Sequence, residues 1–168
     1  MLGALAPLGL GAAAGTALVV DLDPDGPHYP GEGSLADLVA EGPRRADLSP
    51  TRSGLAVLRN GGVDPAAAAP VLEALIEGWP AVVLRLPGSR PGGREPDIMV
   101  RPLVPGSLFP PASPGSAVYQ DLGFRIPAPG PRLPVLSRGT AAALLAGSIP
   151  RRSRWVRAWR SVWEGAWE

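Results

Sequence analysis

Three acidic residues at alternating positions, Asp21, Asp23 and Asp25, form the group of side chains best suited to chemistry. They end the apolar run 17–22, which is typical of a buried strand. Residues two apart in a strand share a face, and carboxylate oxygens are the ligands that Mg²⁺ and Ca²⁺ prefer. The spacing is therefore compatible with a divalent cation site. Acids at the carboxyl end of a strand, beside a turn, give the same spacing, and this is the favoured interpretation.

A calcium loop of the EF-hand kind is also compatible with part of this spacing. Counted from the first acid, Gly26 stands sixth and Glu32 twelfth, as such a loop requires. However, Pro24 and Pro27 fit the loop poorly, and Tyr29 stands where an oxygen ligand is common. We therefore expect no metal site here.

Other catalytic groups are scarce. The chain has no Cys and no Lys, and a single His, which excludes thiolate chemistry, lysine Schiff bases and His pairs. His28 and Tyr29 could form an acid–base pair, but a lone His in a Pro/Gly-rich loop is usually solvated. Ser107, Ser113 and Ser116 lie in Pro/Gly-rich sequence without a second His to activate them. No catalytic residue is predicted.

The overall composition indicates one folded domain with long irregular connections. Gly and Pro make up 44 of the 168 residues, 22 of each, yet the apolar content suffices for a core. The net charge is +1, so nucleic-acid binding by the whole chain is not expected. The pairs Arg44–Arg45 and Arg151–Arg152 are interpreted as solvated charges.

Strands and helices alternate in the first half of the chain. Apolar runs at 17–22, 54–59 and 81–86 predict strands, and the segments 35–41 and 65–77 between them predict helices. This β-α-β-α-β order predicts an α/β fold with a small parallel sheet flanked by helices.

Local signals mark the ends of these two helices. Ser34 and Asp37 have the spacing of a capping box, and Gly42 ends the first helix. Pro70 requires the second helix either to begin near it or to kink there.

The first twenty residues carry no charge. They lack the basic segment of a signal peptide and contain four Gly and one Pro. A buried first element is the favoured interpretation. A cleaved signal or membrane anchor, which would make the protein secreted or membrane-anchored, is the alternative.

The second half of the chain changes in composition. Residues 87–134 are rich in Pro and Gly, with a predicted edge strand at 97–104, a short strand or hairpin piece at 118–124, and a helix at 140–146. We divide the chain into a core at 1–105, an extension at 106–149 and a final helix at 150–168.

The final helix is strongly amphipathic and basic. Tryptophans recur every four residues along one face, and arginines occupy the opposite face: Trp155, Trp159, Trp163 and Trp167, against Arg154, Arg157 and Arg160. Such a helix could dock on its own core, on a protein partner, or on an anionic membrane surface, where Trp and Arg are favoured. Glu164 and Glu168 near its end argue against the membrane.

The stretch 17–26, ALVVDLDPDG, resembles a strand and motif of MinD/ParA-type P-loop ATPases, in particular the CpaE-like branch. The resemblance extends over roughly residues 12–105. It implies a P-loop NTPase-like core in which Asp21 and Asp23 lie near the phosphates and magnesium of ATP.

Two parts of that ATPase site differ in this chain. The phosphate-binding loop of the family requires a Lys, which the chain lacks, and Arg85 stands at the position of the magnesium-binding acid. The sequence therefore predicts a degenerate, non-catalytic relative without cofactor, cytoplasmic or peripheral to the inner membrane, that acts in docking or localisation through residues 150–168. A nucleotide-binding ATPase with an altered Mg-ATP site is the alternative.

Overall fold

The computed structural model describes residues 2–87, 97–109 and 117–165. The elements, in chain order, are α1 (Leu2–Ala14), β1 (Ala17–Asp21), α2 (Leu35–Glu41), β2 (Leu55–Leu58), α3 (Ala69–Gly78), β3 (Val82–Arg85), β4 (Met99–Leu103), β5 (Ala117–Asp121), β6 (Arg132–Leu133), α4 (Arg138–Leu145) and α5 (Arg154–Gly165). The fold is α/β, as the sequence predicts.

The first sheet consists of the three strands predicted from the apolar runs, in the order β2-β1-β3, and both pairings are parallel. Val19 lies opposite Val57 on one side and Val83 on the other. All five residues of the central strand β1 are buried, as expected for a parallel strand covered on both faces.

Both ends of α2 follow their local signals, whereas α3 begins later than predicted. Ser34 Oγ accepts a hydrogen bond from the Asp37 N–H, and the Asp37 carboxylate accepts one from the Ser34 N–H, so the predicted capping box is present. Gly42 ends α2 with a φ of 80°, which favours glycine. Helix α3 begins at Ala69, so the predicted start at residue 65 is wrong; residues 65–68 form turns, and Pro70 lies in the first turn without kinking the helix.

A second three-stranded sheet lies in the Pro/Gly-rich half, with the order β4-β5-β6, again parallel. Strand β4 is at the edge and contains Pro102, as predicted. The segment predicted as a strand or hairpin piece is the parallel central strand β5, since Val100 pairs with Val118 and Arg101 with Tyr119. The predicted helix at 140–146 is α4.

Helix α1 packs against α5. Leu5 and Leu8 share a hydrophobic cluster with Trp155 and Trp159, and all four side chains are almost fully buried. Gly9 allows the close approach, because a Cβ at this position would collide with both indoles. Within the described ranges, no helix has the length and apolar character needed to cross a membrane.

The same cluster contains side chains from all three predicted segments. Leu8 comes from the first, Val118 and Leu144 from the second, and Val156 from the third. A separate cluster on the other face of the first sheet joins Leu35 of α2 to Leu75 of α3.

Candidate functional site

Asp21 and Asp23 lie at the carboxyl edge of the first sheet, beside the end of β3. Asp21 is the last residue of β1 and stands directly opposite Arg85, the last residue of β3. Both side chains are buried, with 0% of Asp21 and 4% of Arg85 exposed to solvent. This edge is where ligands of open α/β sheets usually bind.

Arg85 contacts both acids with its two terminal nitrogens. Its Nη1 donates to Asp21 Oδ2 at 3.0 Å and to the carbonyl oxygen of Pro27 at 2.7 Å, and its Nη2 donates to Asp23 Oδ2 at 2.8 Å. A planar guanidinium suits this arrangement because its donors have fixed directions. One cation is thus shared between two carboxylates.

The segment after β1 covers the guanidinium group of Arg85. Gly26 passes so near that a Cβ would collide with Arg85 Nη2 and with the Asp23 carboxylate. The ring of Tyr29 lies 5.6 Å from Arg85 Cζ, in the range of a cation–π contact. The Tyr29 hydroxyl donates to the carbonyl oxygen of Ala4 at 2.6 Å, which ties this segment to α1.

Burial dominates the electrostatics of the site. Burial raises the pKa of Asp21, although the hydrogen bond from the Asp23 N–H, 3.1 Å long, and the charge of Arg85 both act to lower it. Burial also raises the pKa of the Tyr29 hydroxyl, with Arg85 again opposing. Because Asp21 and Arg85 are buried together, each one compensates the other's charge.

The other residues considered for metal binding or catalysis do not join this site. Asp25, His28 and Glu32 are exposed, and the Asp25 N–H donates to Asp23 Oδ1 at 3.3 Å. The described residues contain no group of three His, Cys, Asp or Glu side chains placed to hold a metal ion. Ser107 is half-buried in a loop.

The remaining sequence predictions concern two serines and a pair of surface arginines. Ser113 and Ser116 lie outside the described residues. Arg44 pairs with Glu41 at 3.2 Å on the surface, and Arg45 is exposed, in agreement with solvated charges.

The tryptophan face of α5 is docked on its own chain. Trp155 and Trp159 are each 1% exposed and contact each other edge to face, with ring centroids 5.6 Å apart. Trp155 Nε1 donates to Gln120 Oε1 of β5 at 2.7 Å. Trp163 is half-buried, and Trp167 lies outside the described residues. Of the three alternatives for this face, docking on the core is the one that the structure contains.

The arginine face of α5 points away from the core. Arg154, Arg157 and Arg160 are all exposed, and the ion pairs of the described residues involve none of them. Within α5, only Glu164 carries negative charge. The helix therefore presents a basic surface.

Sequence reasoning considered Tyr29 as a partner of His28 and did not single out Gln120, yet both residues organise these sites. Tyr29 carries no local signal, because an aromatic residue in a Pro/Gly-rich loop has no periodic context. Gln120 did carry a sequence signal, because a polar side chain inside an apolar strand needs hydrogen-bond partners. In the structure its Nε2 donates to the carbonyl oxygens of Asp121 and Pro134.

Comparison of the chain with protein-family models, with curated proteins and with solved structures finds no match.

Proposed function

We propose that the chain is a non-catalytic docking or localisation protein, built on a degenerate MinD/ParA-like core, and that α5 is its contact surface. The observation that carries the non-catalytic part is the hydrogen bonding of Arg85 to both Asp21 and Asp23. In the family that the sequence resembles, these acids lie near magnesium and phosphate. Here a cation of the protein itself lies between them.

The position of Arg85 disfavours magnesium at these acids. Mg²⁺ binds through carboxylate oxygens, and Asp21 Oδ2 and Asp23 Oδ2 already accept hydrogen bonds from the guanidinium. A metal ion would have to displace a buried arginine, break its bond to the Pro27 carbonyl and leave its charge without a partner. The buried arginine thus supports a structural role for this edge.

The exposed arginines of α5 support docking on an acidic protein surface. The indoles that would enter a lipid headgroup layer, Trp155 and Trp159, are covered by α1. What remains outside is the basic face, which attracts acidic partners and accelerates their association. The proposal includes a cytoplasmic location; an anionic lipid surface at the inner membrane is the second candidate for the same arginines.

Calorimetric titration with Mg-ATP tests the non-catalytic part. The proposal predicts no binding in the micromolar range. Micromolar binding by the wild-type chain, lost in the D21N variant, would contradict the proposal and revive the altered-ATPase alternative.

Two acidic probes test the docking part. Poly-glutamate should bind the full chain more weakly as salt increases, and the R154Q/R157Q/R160Q variant should lose most of this binding. A matched R44Q/R45Q variant should bind as the wild type does. Equal binding by the triple variant would contradict the assignment to α5. Phosphatidylglycerol vesicles that sediment with the wild type, while poly-glutamate does not bind, would favour the membrane candidate instead.

A further inference from the structure

A cleft lies at the opposite edge of the first sheet from Arg85, where β2 begins. Its volume is about 580 Å³, within the range of small-molecule sites. Its walls are the segment leading into β2, the end of α3 and the connection from α4 to α5. The polar and aromatic residues that line it are Thr51, Arg52, Ser53, Trp79, Ser148 and Arg151.

The described residues that line this cleft carry charge of one sign. Arg52 and Arg151 line it together, and none of the described lining residues is acidic. Neither arginine takes part in the ion pairs of the described residues. Two guanidinium groups match a dianion, and a phosphate monoester carries a charge near −2 at neutral pH. The hydroxyl groups of the walls are further donors to phosphate oxygens.

The walls of the cleft are fixed by backbone hydrogen bonds. The Ala17 N–H donates to the Gly54 carbonyl at 3.1 Å, which holds the entry to β2 against β1. After α4, Gly147 has a φ of 73°, and the Ser148 N–H donates back to the Ala143 carbonyl at 2.9 Å. This bond pattern is a Schellman cap, which sets the path of the chain toward Arg151.

The indole in the cleft is also held in place. Trp79 is half-buried, and its Nε1 donates to the carbonyl oxygen of Asp47 at 3.0 Å. An indole fixed at its nitrogen can offer its ring to a planar ligand without a large loss of side-chain entropy.

We propose that this cleft binds a small phosphomonoester with a planar body, its phosphate held by Arg52 and Arg151 and its ring against Trp79. The inference does not depend on the proposed function, because the cleft and the Arg85 site lie at opposite edges of the sheet. It differs from the nucleotide site that the family resemblance implies, which lies at the carboxyl edge.

Phenyl phosphate is the probe, compared by calorimetry with inorganic phosphate and with benzoate. The full chain should bind phenyl phosphate about tenfold more tightly than either, because only this probe has both the dianion and the ring. The R52Q and R151Q variants should each lose about tenfold in affinity, as expected for a charge-assisted hydrogen bond. R45Q, which removes an exposed arginine outside the cleft, should leave the affinity unchanged.

Three results would overturn the proposal: no binding of phenyl phosphate by the wild type, equal binding of benzoate, or unchanged affinity in both cleft variants. The arginine variants replace exposed side chains, so loss of folding will not mimic loss of binding. A W79L variant that binds phenyl phosphate no better than inorganic phosphate would support the ring contact. Mg-ATP binding that disappears in R52Q and R151Q but persists in D21N would take place in this cleft. Mg-ATP binding that disappears only in D21N would instead concern the Arg85 site and the proposed function.

Discussion

Arg85 and Asp21 end neighbouring parallel strands in register, and the guanidinium donates a hydrogen bond to the carboxylate at 3.0 Å with both side chains buried. This pair joins Asp21, at the end of β1, to a residue more than sixty positions away in the sequence. It accounts for a buried arginine at the end of β3.

Removing the buried cation should destabilise the fold strongly. The R85M variant leaves Asp21 buried without its partner, and we expect a loss of about 3–5 kcal/mol in the free energy of unfolding, measured with urea. Neutralising the acids as well, in D21N/D23N/R85M, should recover most of this loss. A single R85M variant as stable as the wild type would show that the ion pair is not needed.

The contact between α1 and α5 depends on the absence of a side chain at Gly9. Gly9→Ala places a methyl group against Trp155 and Trp159. We expect this variant to lower the free energy of unfolding, measured by thermal denaturation, by about 1–3 kcal/mol. Gly3→Ala in the same helix is the matched control, since a Cβ there meets nothing within 4 Å. That control should be neutral or stabilising by up to about 1 kcal/mol from helix propensity. Equal effects at the two positions would contradict the close packing.

The hydrogen bond between Trp155 and Gln120 should contribute measurably to stability. Q120A leaves the buried indole N–H without an acceptor, and we expect a loss of about 1–3 kcal/mol in urea unfolding. A double-mutant cycle with W155F isolates the pair, because the phenyl ring lacks the donor. A coupling energy near zero would show that the bond does not stabilise α5 on β5.

Acid should weaken the cap of α2. The hydrogen bonds from Ser34 lower the pKa of Asp37 below its usual 3.8, so the folded state favours the carboxylate. The stabilisation is therefore complete above the unfolded pKa and is lost as the pH falls through the lowered, folded value. The D37N variant should lack this part of the acid dependence when the free energy of unfolding is followed from neutral pH downward. An unchanged pH profile in D37N would contradict the assignment.

The first half of the fold could be predicted because its signals are local. The apolar runs, the capping box at Ser34 and the restriction by Pro70 each act within a few residues, so they survive as sequence patterns. The second sheet was only partly predicted. Strand β6 is two residues long, and its pairing with β5 depends on tertiary contacts that no local pattern encodes.

The sites depend on longer-range relationships. The contact of Arg85 with Asp21 follows from the register of β1 and β3, which the sequence alone does not specify. The amphipathic pattern of α5 indicates that its tryptophan face is buried, but not against what. Gly9 on α1 is the complementary feature, and a glycine within an apolar helix gives no sign of the indoles that it faces.

The most direct test of the central claim, that Arg85 takes the place of a cation between the two acids, is manganese binding followed by electron paramagnetic resonance. Mn²⁺ prefers the same oxygen ligands as Mg²⁺ and reports binding by its signal. The wild-type chain should bind no Mn²⁺ at these acids, whereas R85S, with folding verified by circular dichroism, should gain a site that D21N/R85S lacks. Equal binding by the wild type and R85S, abolished in both by D21N, would contradict the claim.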